Sequence, residues 1–128
     1  MSSLPSSPSA SLSDPSSASA PATPDSLAVL SQRLRDFAQA RDWERHHAPK
    51  NLAAALVVEA SELLEPFQWM NEADSRQLSD DTRRHVAMEM ADVLLYLLQL
   101  GNALDIDLVQ AAWAKVDINE QRFPPLKR

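Results

Sequence analysis

The chain has 128 residues, a net charge of −6, no cysteine and a single glycine, and 45% of it is hydrophobic. That length admits one domain with a real core, and the acidity argues against a nucleic-acid surface, which shows a basic excess, but not against a nucleotide held through divalent cations. Without cysteine there are no disulfides or thiolate metal sites, and scarce glycine among abundant Ala, Leu, Gln, Glu and Arg points to helices rather than tightly turning sheets.

Residues 1–24, MSSLPSSPSASLSDPSSASAPATP, are almost wholly Ser, Pro and Ala, with Asp14 their one charge. Such a segment buries too little apolar surface to offset its ordering entropy, so a disordered tail is expected there and a single folded domain over 25–128. No apolar run approaches the roughly 20 residues that span a bilayer, and the N-terminus has neither a basic region nor an apolar stretch of the signal-peptide kind. The expectation is a soluble cytoplasmic protein.

A first helix is predicted from an N-cap at Asp25 or Ser26 to about Arg41, with Leu27, Leu30, Leu34 and Phe37 at helical spacing. The connector RDWERHHAPKN follows, rich in side chains able to bind a ligand. Pro49 suits the first turn of a second helix, which Pro66 ends or kinks after Glu65 by denying a backbone donor. NEADSRQLSDD reads as a polar connector. A third helix is predicted from Asp80 to Leu104, apolar nearly all round and therefore buried on several sides. A fourth opens at Asp107, with Gln110 completing a capping-box pattern, and runs to Arg122 before Pro124 and Pro125. The sum is an all-α protein, an antiparallel bundle of four to five helices.

Two acidic pairs stand out within the two most apolar helices: Glu59 with Glu62, and Glu89 with Asp92. Residues three and four apart share a helix face, so each pair projects together. His85, Glu89, Asp92 and Tyr96 form one polar stripe; Asn51, Ala55, Glu59 and Glu62 form the other. Antiparallel packing of the two stripes converges four carboxylates, which repel one another unless a cation intervenes. All-oxygen ligation suits Mg²⁺ first, with Mn²⁺ as substitute, and Mg²⁺ shares its open positions with substrate phosphates. A solvated amphipathic face explains a lone ExxE but fits poorly with two equal pairs. A di-iron bundle requires two ExxH pairs, and the chain has only Glu44 to His47.

The runs FAQARDWERHHAPKNLAAALVVEASELLEPFQW, EMADVLLYLL and KVDINEQRFP resemble the MazG-like all-α nucleoside triphosphate pyrophosphohydrolases, most closely their dCTP pyrophosphatase branch, over about residues 27 to 125. The resemblance implies Mg²⁺-dependent cleavage of a deoxynucleoside triphosphate between its α and β phosphates, with Glu59, Glu62, Glu89 and Asp92 as metal-binding and catalytic acids and Glu62 the choice for general base. It implies a nucleotide pocket lined by Trp43, His47, Trp69 and Tyr96, since aromatic faces stack on bases. Lys50, Lys115, Asn119 and Arg122 are the candidate phosphate contacts, the last three sharing a helical face, and Asn51 completes the substrate set.

Two departures from the branch's pattern bear on this pocket. Leu34 stands where a polar, His-like residue is often found, which affects selectivity for dCTP, and Pro66 interrupts the segment carrying Trp69. Family members assemble as dimers or tetramers, and a third helix apolar on nearly every side asks for the same cover here. A homotetramer is expected, with a dimer as the fallback. The competing readings are a pyrophosphohydrolase for dUTP or an oxidised nucleotide, and a non-catalytic helical interaction module.

Overall fold

The computed structural model describes residues 26–127, so the expected disordered tail over 1–24 lies outside the described residues. Five α-helices follow in order: α1 (Leu27–Ala40), α2 (Pro49–Leu64), α3 (Glu72–Ser75), α4 (Asp80–Leu104) and α5 (Leu108–Arg122), with a 3₁₀ turn at Glu44–His46. No strand occurs among the described residues, and the all-α reading holds.

Local chemistry accounts for the helix ends. The Ser26 hydroxyl accepts the backbone N–H groups of Ala28 and Val29, and Ser79 and Asp107 cap α4 and α5 by accepting from Thr82 and Gln110. Pro49 occupies the first turn of α2, where its missing donor costs nothing. At the other end α2 stops at Leu64; Pro66 removes a donor, and the chain continues in single turns through the bonds from Phe67 to Leu64 and from Met70 to Phe67. The segment expected to be wholly a connector contains α3, one turn of helix nucleated by the Asn71 side chain accepting from the Asp74 N–H.

Two helix exits are built alike, on aspartates in the left-handed region. Asp42 has φ 54° and Asp105 has φ 55°. In each, a six-residue loop closes back onto the helix: Trp43 N–H to the Ala38 carbonyl, and Ile106 N–H to that of Gly101. The first folds Trp43 onto Phe37, edge to face with ring centroids 5.1 Å apart. The second brings α5 in so closely that a Cβ at Gly101 would meet Leu108 Cδ1 at 3.0 Å.

Most packing runs between α2 and α4, with a smaller contact of α1 on α4. The buried apolar residues are few: Ala38, Leu52, Val86, Tyr96 and Leu98. Within the single chain α4 is less covered than its sequence predicts. Met88 and Met90 are exposed because α2 and α1 together shield only part of its circumference. Exposure also extends along α5 and just past its end, where Trp113, Val116, Ile118 and Phe123 are all exposed. Among the described residues no helix is long and apolar enough to cross a membrane.

Candidate active site

The α2–α4 seam brings the acids together. Carboxylate oxygens of Glu59, Glu89 and Asp92 lie within 4.8 Å of one another. Glu59 is only 4% exposed, and the Oε2 atoms of Glu59 and Glu89 are buried with no hydrogen-bond partner among the described residues. Buried apolar residues lie along the same seam, Leu52 two turns before Glu59 and Val86 one turn before Glu89. Glu62 stands beside this trio rather than within it, yet its charge bears on all three.

The electrostatics follow from that geometry. Burial is the first cause pushing the Glu59 carboxyl up to about 7; a proton shared with Glu62 and the charges of Glu62, Asp92 and Glu89 add to it. Burial likewise raises Glu89 and Asp92, followed in both by the nearby charge of Glu62. Only His85 opposes this at Glu89, its Nε2 lying 3.8 Å from Glu89 Oε1. Among the described residues no Lys or Arg forms an ion pair with the trio, since the other ion pairs are Arg45–Asp42, Arg76–Glu72 and Arg84–Asp81. Orphaned anionic oxygens this close are the donor set of a hard divalent cation.

The remaining predicted residues divide into two groups. Tyr96 is buried on α4 one turn beyond Asp92. Trp43 and His47 are half-buried and meet edge to face with centroids 6.2 Å apart. His47 lines a cavity of about 270 Å³ between α1 and α4, together with Leu34, Arg35, Glu44, Gln99 and Asn102. Burial lowers the His47 pKa, against the pull of Glu44 and with help from His46. By contrast Trp69 is 89% exposed, beyond the Pro66 break. Lys50 and Asn51 are exposed in the first turn of α2, and Lys115, Asn119 and Arg122 are exposed on α5.

One residue of this region escaped the sequence reading. Gln99 lies three positions beyond Tyr96 on the polar stripe of α4, so extending the i+3, i+4 pattern one more step would have found it.

The MazG-like family matches residues 54–125, a stretch holding all four acids. The dCTP pyrophosphatase 1 proteins of Homo sapiens and Rattus norvegicus are each 42% identical over 91 residues, covering 70% of this chain and 54% of theirs. The chain thus spans about half the length of the curated relatives it matches. A crystal structure of a pyrophosphatase from Archaeoglobus fulgidus is similar with a TM-score of 0.70 and 37% identity, covering 77% of this chain and 92% of that one. With an acidic seam, an all-α architecture and a family match over more than half its length, the chain belongs to the MazG-like family.

Proposed function

We propose that this chain is a Mg²⁺-dependent nucleoside triphosphate pyrophosphohydrolase that converts dCTP, or a 5-modified dCTP, to the monophosphate and pyrophosphate in the cytoplasm. The observation that carries the reading is the trio of acidic oxygens within 4.8 Å, two of the three residues having an orphaned buried oxygen. The names of the relatives, dCTP pyrophosphatase 1 and pyrophosphatase, support the same chemistry.

Glu59, Glu89 and Asp92 would hold the cation. When bound, it neutralises triphosphate charge and lowers the pKa of a coordinated water. The acids themselves must first give up protons held by burial and by mutual repulsion, so cation and proton compete for the seam. Glu62, facing the trio from outside, is placed to orient the attacking water and accept its proton as the bond between the α and β phosphates breaks. Trp43, His47 and Tyr96 border the base end, and Lys50, Asn51, Lys115, Asn119 and Arg122 are cations and amides available to phosphate oxygens. Trp69, exposed in the isolated chain, would reach a base only in an assembly.

Assembly is the second part of the proposal: the chain acts as a homotetramer, with a dimer as the simpler case. The exposure of Trp113 at 68% and Phe123 at 67% supports it, since such area on α5 is stable only when covered. Association would also deliver Lys115, Asn119 and Arg122 to a neighbouring site.

The test is Mg²⁺-dependent hydrolysis of dCTP with products resolved by chromatography. Release of dCMP and pyrophosphate is expected; orthophosphate as first product overturns the reading. A panel with dUTP and oxidised nucleotides at equal concentration ranks the substrates, and light scattering reads the assembly.

A further inference from the structure

Two side-chain amides lie one turn apart on α4, in opposite circumstances. Asn102 is engaged through both its oxygen and its nitrogen. Its Oδ1 accepts from the Ser31 hydroxyl at 2.7 Å and from Arg35 at 3.2 Å, and its Nδ2 donates to the Ser31 carbonyl at 3.1 Å. Gln99 is 4% exposed, and neither its Oε1 nor its Nε2 has a hydrogen-bond partner among the described residues. A buried amide left wholly unpaired is rare, because each lost bond carries the full desolvation penalty.

Packing alone does not account for Gln99, which lines the cavity between α1 and α4 together with Leu34 and His47. At about 270 Å³ the cavity has room for roughly nine waters at about 30 Å³ each, far more than bridging one amide needs. Asn102 makes its hydrogen bonds to Ser31 and Arg35 and none to Gln99. Leu34 offers nothing polar. The lining therefore combines the apolar surface of Leu34, Ala38 and Ala103 with the polar side chains of Arg35, Glu44, His47 and Asn102, and the unpaired Gln99 amide is buried in its wall.

Position gives the ligand. Glu89, Asp92, Tyr96 and Gln99 share one face of α4, and seven residues separate Asp92 from Gln99, about 10 Å along the axis at roughly 1.5 Å per residue. A nucleotide whose phosphates sit at the acids extends its sugar past Tyr96 and its base toward Gln99. The geometry points to Gln99 as the residue that reads the hydrogen-bonding edge of a pyrimidine base in the α1–α4 cavity. This rests on the nucleotide reading above and adds to it a specificity-determining contact.

The pairing is direct. Cytosine presents an N4 amino donor beside the N3 acceptor, which an amide matches with Oε1 and Nε2. Turned over, the same amide matches O4 and N3–H of uracil. Adenine and guanine present the same paired groups at N6/N1 and O6/N1–H, so Gln99 reads a base edge while the room in the cavity favours the smaller pyrimidine, and discrimination between cytosine and uracil falls to whatever pins the amide.

The experiment compares wild type with Gln99→Met, similar in size and apolar, and with Gln99→Glu, similar in size and unable to donate when ionised. One readout is the ratio of kcat/KM for dCTP to that for deoxyribose 5-triphosphate, which has no base. The ratio falls about tenfold to a hundredfold in both variants if Gln99 reads the base. An unchanged ratio, whatever happens to the separate rates, overturns the inference while the pyrophosphohydrolase reading stands. The other readout is binding of 2′-deoxycytidine without metal, followed by calorimetry. Binding by wild type that is lost in Gln99→Met supports the inference even if no triphosphate is hydrolysed, in which case only the functional reading fails. No binding by wild type at millimolar nucleoside overturns it. Thermal melting of Gln99→Met at or above the wild-type temperature shows the variant is folded; should it melt far lower, the same two readouts on Gln99→Glu decide.

Discussion

The α2–α4 seam and α5 carry equally good helix signals and end in opposite conditions. In the seam, Leu52, Glu59, Val86 and Tyr96 are buried, and apolar walls force carboxylates together. On α5 the cap at Asp107 and the stop before Pro124 are as clear, yet every residue from Gln110 to Lys127 is exposed. Local chemistry decides where a helix begins and ends, and tertiary cover decides what it is for. The seam finds its cover within the chain, whereas α5 leaves its apolar and basic side chains exposed.

The sharpest break in that comparison is Glu59→Gln. It removes a charge from the trio and leaves volume unchanged, so the proposed dCTP hydrolysis is expected to fall on the order of a hundredfold or more while the fold is kept. Steady-state kinetics and circular dichroism check both halves. The corresponding change on α5, Lys115→Met, tests the proposed phosphate contact: KM is expected to rise with a smaller effect on kcat, since such a contact serves ground and transition states alike.

Next in size is Trp113→Glu, which asks whether the face of α5 is covered in solution. A charge placed at a closed aromatic contact costs about 2 kcal/mol or more, roughly a thirtyfold weaker association per interface. Light scattering at micromolar concentration is expected to show a smaller species than wild type. An unchanged mass would mean that α5 faces solvent in the assembly.

The seam also predicts a pH dependence for the metal-free protein. The ordinary value of Glu59 is 4.5 and the folded value about 7, so between these pH values the unfolded chain has released its proton and the folded chain retains it. The unfolded state then binds fewer protons, and stability falls as pH rises through that window. Melting in EDTA should show a higher Tm at pH 5 than at pH 8. Added Mg²⁺ should raise Tm more at pH 8, where it has fewer protons to displace. Flat melting across this range would place the Glu59 carboxyl in water.

Much of this was legible in the sequence because it depends on spacing. The i+3 pairs Glu59–Glu62 and Glu89–Asp92 need only a helix to align them, and the caps at Ser79 and Asp107 need only their neighbours. What depends on side-chain rotamer or cover was not legible. Glu62 faces the trio from outside it, Met88 and Met90 stay exposed on a helix that reads as buried, and Trp69 lies open beyond Pro66. Gln99 is instructive in another way. A polar residue among leucines invites the reading of a surface position, and only burial without partners reveals what it lacks.

The smallest expected effect separates the two helices most directly. Ser79→Ala and Asp107→Ala each delete one cap, worth about 1 kcal/mol to its helix. α4 is the element on which α2 and α1 pack, so its cap is coupled to the whole fold and its loss lowers Tm by about 4–8 °C. In a Trp113→Glu background, α5 is tied down chiefly at its start, where Leu108 packs on Gly101. There Asp107→Ala should leave Tm nearly unchanged while amide exchange over 108–122 accelerates, because fraying of an uncovered helix is local. If both cap deletions lower Tm equally in that background, α5 is part of the cooperative unit of the single chain, and its exposed face must be stabilised by contacts with the chain's own remaining residues.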